Sequence, residues 1–150
     1  MDDSGDIVFE SAGQGTDVVF ATVNYTLTAN VETLVLQGSD NLTGTGNALD
    51  NKLYGNAGDN TLDGGAGADV LVGNAGSDTF VFHAGQANGD LVLDFASGAD
   101  SLQFVGYDAS ATFTQSDATH WQIDYNGGTS HETITFANGA APDLNDWHFV

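Results

Sequence analysis

The segment that decides the fold runs from Gly55 to Phe80 and reads GNAGDNTLDGGAGADVLVGNAGSDTF. Its glycines, one oxygen-bearing side chain and one large apolar side chain each recur every nine residues. The oxygen-bearing position is held in turn by Asn60, Asp69 and Asp78. A fixed period of this kind predicts an array of stacked structural repeats.

Four nine-residue units follow one another without a gap, at residues 46–54, 55–63, 64–72 and 73–81. The same frame continues upstream with gaps, at residues 35–43, 12–20 and 1–9. The first six positions are rich in glycine, which adopts positive φ at little steric cost and so favours tight turns. The last three positions place an apolar residue between polar or small ones, which is typical of a short half-buried strand.

A turn and a three-residue strand cannot bury an apolar face alone, so the units must stack. Two units form one coil, and successive coils lie at the spacing of hydrogen-bonded strands, about 4.8 Å. Leu53 should then stack on Leu71, and Leu62 on Phe80. The sequence therefore predicts an all-β fold in which a thin apolar core lies between two parallel sheets.

The chain is strongly acidic, with 21 Asp and Glu residues against one basic residue and a formal net charge of −20. A hydrophobic content of 41% argues against simple disorder, so the fold needs something that neutralises the acids. A bound cation would do this, whereas nucleic acid and anionic membranes are disfavoured because no basic patch exists to hold phosphate.

The stacking also brings oxygen atoms together, since Asn51 lies over Asp69 and Asn60 over Asp78. Carboxylates this close repel one another unless a cation lies between them. Calcium binds six to eight oxygens, including backbone carbonyls that glycine turns leave accessible. The pattern therefore predicts several bound Ca²⁺ ions.

The repeats resemble the nonapeptide G-G-x-G-x-D-x-U-x of the RTX (repeats-in-toxin, haemolysin-type) calcium-binding family. The unit GGAGADVLV (64–72) matches that pattern at every defined position. The resemblance implies a right-handed parallel β-roll with calcium between successive turns. It transfers the ligand aspartate to Asp69 and Asp78, and less directly to Asp6, Asp17 and Asp40.

Two turns depart from the family pattern. Asn51 and Asn60 lack the charge, and Leu49 replaces a glycine, so these turns are expected to bind weakly or to act as half-sites. For the same reason, the coils before Leu53 are expected to loosen first when calcium is withdrawn. The resemblance also implies ligands from the backbone carbonyls of Gly55, Gly64, Gly67, Gly73 and Gly76.

We expect residues 1–150 to form a single domain, with repeat coils at 1–88, a longer insert at 21–34 and a C-terminal cap at 89–150. Residues 89–108 resemble the segment that closes β-rolls in secreted RTX enzymes, which implies that Asp90 completes the last calcium site. Residues 113–139 predict two or three antiparallel strands with a hairpin turn at YNGGT (125–129). The aromatic side chains of this region should cover the end of the roll.

The sequence contains no H-E-x-x-H or G-x-S-x-G motif and its four histidines are dispersed, so we expect no enzymatic activity. The resemblance implies a monomeric module that folds on binding calcium outside the cell. It would serve as the C-terminal folding and secretion domain of a larger exported bacterial protein, with the type I secretion machinery as partner. The alternative is a calcium-dependent carbohydrate-binding module, with a neutral polysaccharide stacked on Trp121 or Tyr125.

Overall fold

The computed structural model describes residues 1–3, 5–13 and 15–150, and within them the regular structure is entirely β. No helix in these residues is long and apolar enough to span a membrane. The strands are β1 (Val18–Ala21), β2 (Tyr25–Thr26), β3 (Thr33–Leu36), β4 (Thr43–Thr45), β5 (Lys52–Tyr54), β6 (Thr61–Asp63), β7 (Val70–Val72), β8 (Thr79–His83), β9 (Leu91–Val92), β10 (Ser101–Val105), β11 (Thr112–Gln115), β12 (His120–Tyr125), β13 (Ser130–Phe136) and β14 (Trp147–Phe149).

The strands form two sheets that the chain visits alternately. One sheet has the order β1-β3-β5-β7-β9-β13-β12-β11, and the other has the order β14-β10-β8-β6-β4-β2. Each of the strands β1 to β8 pairs in parallel with the strand two places further along the chain. This is a parallel β-roll, as the sequence predicts.

The predicted stacking of apolar residues is confirmed. Leu53 lies opposite Leu71, and Leu62 lies opposite Phe80, each pair 18 residues apart. All four side chains are fully buried between the sheets. Burial of each such side chain contributes about 1.5–3 kcal/mol, so the leucine position of the repeat builds the core directly.

The stretch 21–34, expected to form a longer insert, belongs to a coil of the roll that is shorter than the repeat coils. It contains β2, and Val18 of β1 pairs with Thr33 of β3, a step of only 15 residues. Its alternating apolar residues face the core, where Tyr25 and Leu27 are buried. The alternating apolar residues of this stretch therefore belong to the core-facing side of the coil.

The structure also shifts the repeat frame assigned to residues 35–43. Thr43 pairs with Thr61, which places Leu42 where the following coil has Asn60. The core-facing position of β4 is consequently Gly44, opposite Leu62. A Cβ at Gly44 would lie 3.0 Å from the side chain of Leu34, so the leucines of β3 fill the space that a larger residue would need.

The C-terminal region covers the end of the roll, as expected. Strands β11, β12 and β13 are antiparallel and join the first sheet through β13, which pairs in parallel with β9. The indole ring of Trp121 stacks on Phe113 at 4.7 Å and is only 9% exposed. Tyr125 packs edge-on against Tyr107. The ring of Trp121 is core, and it is not available as a stacking surface for a sugar.

Candidate metal centre

The turns between strands form two rows along the roll. The first row, which precedes strands of the eight-stranded sheet, consists of residues 27–32, 46–51, 64–69 and 84–90. The second row, which precedes strands of the six-stranded sheet, consists of residues 37–42, 55–60, 73–78 and 93–100. Parallel pairing holds equivalent positions of successive turns next to one another.

In the first row, each acidic side chain accepts a hydrogen bond from the backbone of the preceding turn. Asp69 Oδ1 accepts the N–H of Asn51 at 2.7 Å, and Asp90 Oδ1 accepts the N–H of Asp69 at 2.9 Å. The structure therefore brings the predicted residues Asn51, Asp69 and Asp90 into one line. Asp90 follows Asp69 by 21 residues, because the connection after β8 is longer than the repeat.

The second row has the same arrangement and includes a residue that sequence reasoning did not select. Asp78 Oδ1 accepts the N–H of Asn60 at 2.7 Å, and Asp100 Oδ1 accepts the N–H of Asp78 at 2.9 Å. Asp94 accepts the N–H groups of Gly73 and Asn74 at 2.9 and 2.8 Å. Asp100 lies 22 residues after Asp78, outside the nine-residue frame, which is why the period alone does not identify it.

These carboxylates are buried, and burial destabilises their charged form. Asp69 is 0% exposed, Asp78 2% and Asp90 3%. Burial is the main cause that raises the pKa of Asp69 and of Asp78 to about 6, and that of Asp90 to about 7. Neighbouring carboxylates raise these pKa values further, with Asp100 acting on Asp78 and Asp69 acting on Asp90. A positive charge bound beside these carboxylates would therefore stabilise their ionised form.

One carboxylate oxygen of Asp69 is available to bind a cation. Its Oδ2 is buried and has no hydrogen-bond partner among the described residues. A Cβ at Gly64 would lie 2.3 Å from this oxygen, and a Cβ at Gly73 would lie 2.4 Å from Asp78 Oδ2. Only glycine leaves room for these carboxylates to fold back over their own turns.

Backbone carbonyls supply the remaining oxygens around these turns. The carbonyl of Asn47 lies 2.6 Å from where a Cβ would stand at Gly65, and that of Leu49 lies 2.5 Å from the same point at Gly67. Within the described residues, no three acidic or histidine side chains gather at one point. An ion here must combine carboxylate with carbonyl oxygens, and such an oxygen-only set suits Ca²⁺.

The upstream residues assigned from the gapped frame behave differently. The N–H of Asp17 donates to Glu32 Oε2 at 2.9 Å, so Asp17 extends the first row, and its Oδ2 is buried without a hydrogen-bond partner in the part of the chain that the structure describes. Glu32 was not among the predicted ligands. Thr33 pairs with Lys52, so the residues just before them, Glu32 and Asn51, occupy equivalent positions in successive turns. The frames at 1–9 and 12–20 also contain Ser4 and Gln14, which lie outside the described residues.

Asp40 and Asp6 lie elsewhere. Asp40 is exposed, because Leu42 takes the turn position that the gapped frame assigned to it. Asp6 accepts hydrogen bonds from the N–H groups of Asp2 and Asp3 in its own N-terminal segment. The structure therefore does not place either carboxylate in the rows as the frame predicted.

The predicted carbonyl ligands belong to the same two rows. The Gly55 carbonyl accepts a hydrogen bond from Asn74 Nδ2 at 2.7 Å, while the Gly64 and Gly73 carbonyls approach the preceding turns at Gly46 and Gly55. Gly67 and Gly76 adopt φ of +132° and +123°.

Comparison with known proteins agrees with this geometry. Residues 45–80 match the family model of the RTX calcium-binding nonapeptide repeat, in four copies. This segment consists of RTX calcium-binding repeats. RTX nonapeptide repeats bind calcium, which accounts for glycine turns that enclose buried carboxylates. No curated protein sequence matches the chain.

Two solved structures are similar in fold to the whole β-roll. Both are subunits of the Azotobacter vinelandii mannuronan C5-epimerase. The AlgE6R3 subunit has 24% sequence identity and a TM-score of 0.46, with 97% of this chain and 86% of that chain covered. The AlgE6R2 subunit has 23% identity and a TM-score of 0.47, with 92% of this chain and 94% of that chain covered.

Proposed function

We propose that this chain is a calcium-responsive folding module of an exported bacterial protein. The observation that carries the proposal is the buried Oδ2 of Asp69, which has no hydrogen-bond partner among the described residues and lies in the turn next to the buried carboxylate of Asp90. An uncompensated buried charge opposes folding, and a divalent cation bound to the same oxygens reverses that effect. Calcium binding would then supply the free energy that makes the roll stable.

The net charge of the chain favours the unfolded state when calcium is absent. Without calcium, a net charge of −20 favours an expanded chain, because few positive groups offset the repulsion. The ions bind only where two turns are stacked, so binding selects the folded state. Asp69 and Asp90 would serve the first row, and Asp78 and Asp100 the second.

A difference in calcium concentration across the cell envelope would turn this coupling into a secretion device. The chain would stay unfolded in the calcium-poor cytosol, pass through the type I secretion machinery and fold outside. In this proposal residues 1–88 form the repeat coils, residues 89–150 form the cap, and the module serves the folding and export of a larger protein.

Calcium titration followed by far-UV circular dichroism tests the folding role. We expect little β signal in chelator and a cooperative rise with calcium. Asp69→Ala and Asp78→Ala should each raise the calcium midpoint at least tenfold. Asp117→Ala is the matched control, since Asp117 is exposed and contacts His120 in the cap. A full β spectrum in chelator, with a melting temperature that chelator does not change, would refute the proposal.

Export requires a separate test. A passenger protein fused to the N-terminus of residues 1–150 would be expressed in bacteria with and without a type I secretion system. We expect the passenger in the medium only when both the fusion and the system are present. Equal retention of fused and unfused passenger would contradict the secretion role while leaving calcium-coupled folding intact.

A further inference from the structure

The turns of the roll adopt two different backbone conformations. In the turn 64–69, Gly65 and Gly67 have φ of +86° and +132°. In the turn 73–78, Asn74 and Gly76 likewise have positive φ, +69° and +123°. The equivalent positions of the turns 46–51 and 55–60 do not adopt positive φ. The two pairs of turns differ at the sixth position, which is Asn51 and Asn60 in the turns without positive φ and Asp69 and Asp78 in the turns with it.

In the turns 46–51 and 55–60, the asparagine at the second position bonds to two carbonyls of the preceding turn of its row, whereas Asn74 of the turn 73–78 bonds to one, that of Gly55. Asn47 Nδ2 donates to the carbonyls of Thr28 and Val31, both at 2.8 Å. Asn56 Nδ2 donates in the same way to the carbonyls of Gln37 and Asp40, at 3.2 and 3.0 Å. Each amide group therefore joins its own turn to two carbonyl oxygens of the preceding turn.

The other end of the same amides closes the turn internally. Asn47 Oδ1 accepts the N–H of Leu49 at 2.9 Å, and Asn56 Oδ1 accepts the N–H of Gly58 at 2.7 Å. Because this bond fixes the turn with ordinary φ, the fourth position can be leucine instead of glycine. The departure at Leu49 is thus part of a distinct turn type.

The position-six amides complete this network. Asn51 Oδ1 accepts the N–H of Asn47 at 2.7 Å, and Asn51 Nδ2 donates to the Val31 carbonyl at 3.2 Å. Asn60 Oδ1 accepts the N–H of Asn56 at 2.6 Å, and Asn60 Nδ2 donates to Asn56 Oδ1 at 3.0 Å. The oxygens that an ion would need at these positions already accept hydrogen bonds, in contrast to Asp69 Oδ2.

We infer that Asn47 and Asn56 take the place of calcium in the first part of each row. The turns 27–32 and 46–51, and the turns 37–42 and 55–60, are joined by side-chain amides and exclude the ion. Calcium binding begins only at the glycine turns 64–69 and 73–78. This inference rests on the calcium role proposed above, and it replaces the expectation that the coils before Leu53 loosen first on calcium withdrawal.

Counting bound ions tests the inference directly. Equilibrium dialysis with radioactive calcium would compare the wild-type chain with Asn47→Ala/Asn56→Ala and with Asp69→Asn/Asp78→Asn. We expect the first double variant to bind as many ions as wild type at saturating calcium, although loosening these coils should raise the calcium concentration needed for half-saturation. The second should bind fewer ions or bind them at least tenfold more weakly. Loss of ions from the asparagine variant would overturn the inference.

The wild-type chain offers a second test that needs no variant. Hydrogen exchange would be followed by mass spectrometry through a chelator titration. The amides of Lys52 and Thr61, which bond to the asparagine-linked coils, should keep at least tenfold more protection than those of Leu91 and Ser101. Simultaneous loss or the reverse order would overturn the inference. A wild-type chain that binds no calcium would instead refute the proposed function, and this inference with it.

Discussion

Replacement of Asp69 by asparagine should change stability in opposite directions with and without calcium. The side chain keeps its size, and its Oδ1 can still accept the N–H of Asn51. What the substitution removes is a charge on a fully buried group whose pKa is raised from 3.8 to about 6. At pH 7.5 this carboxylate is ionised, so its burial opposes folding of the metal-free chain.

The magnitude follows from that pKa. One pKa unit corresponds to about 1.4 kcal/mol, so the metal-free fold of Asp69→Asn should be more stable than wild type by up to about 3 kcal/mol. With calcium, the variant offers the ion one charge fewer. The stabilisation that calcium adds should therefore shrink by more than the metal-free fold gains.

The assay compares two midpoints. In chelator, trimethylamine N-oxide drives the chain to fold, and Asp69→Asn should fold at a lower concentration than wild type. In saturating calcium without osmolyte, urea should unfold the variant first. Asp117→Asn is the control: because its site is exposed, any change in stability should have the same sign with and without calcium, so its osmolyte and urea midpoints should move in opposite directions. If Asp69→Asn also destabilised the metal-free fold, the buried carboxylate would not be the source of the calcium requirement.

Three further predictions concern pH, the glycine turns and the cap. Since burial raises the pKa values of Asp69, Asp78 and Asp90 to about 6, 6 and 7, the metal-free fold is favoured at low pH and loses stability as pH rises through 6–7. In chelator, β signal by circular dichroism should therefore be greater at pH 5 than at pH 8, and a signal independent of pH would contradict this. Gly65→Ala should lower the melting temperature in calcium more than Gly85→Ala: both have φ of +86°, but only at Gly65 would the new Cβ meet a backbone oxygen, at 2.6 Å. Equal melting temperatures of the two variants would show that the stacked turns can move apart without a loss of stability. Tyr107→Phe removes the 2.7 Å hydrogen bond to the buried Glu132 and should cost about 1–3 kcal/mol in urea unfolding, whereas Tyr54→Phe on the roll should cost less.

The repeat itself could be predicted because its period controls burial. Leu53, Leu62, Leu71 and Phe80 recur at one position, and that position faces the core. The same period aligned Asn51 with Asp69 and Asn60 with Asp78. Nothing beyond nine-residue spacing was needed for these pairs.

Prediction failed where coil length changes. Paired strand residues are 18 positions apart in the repeats. The separation is 15 between Val18 and its partner Thr33, and 22 between Thr79 and its partner Ser101. The longer separation is why the repeat frame did not select Asp100. Asp40 has a different cause: Thr43 pairs with Thr61 at the regular separation of 18, so the two-residue gap before residue 46 put the frame of residues 35–43 out of register. Strand pairing and core volume decide these positions, and both depend on contacts distant in sequence. The two turn conformations were also unexpected, since asparagine and aspartate at the sixth position looked like weaker and stronger versions of a single turn.

The difference between those turns affects how calcium can act along the roll. In a stacked array each coil contacts only its neighbours, so an ion stabilises directly only the two turns that hold it. If the asparagine turns hold the coils around β4 and β5 together without metal, the first glycine turn meets a preformed surface when it docks. Calcium then has to order one further coil at a time rather than two at once. Because ordering each residue costs about 1–2 kcal/mol of backbone entropy, halving the length that must order together lowers the calcium concentration at which folding begins.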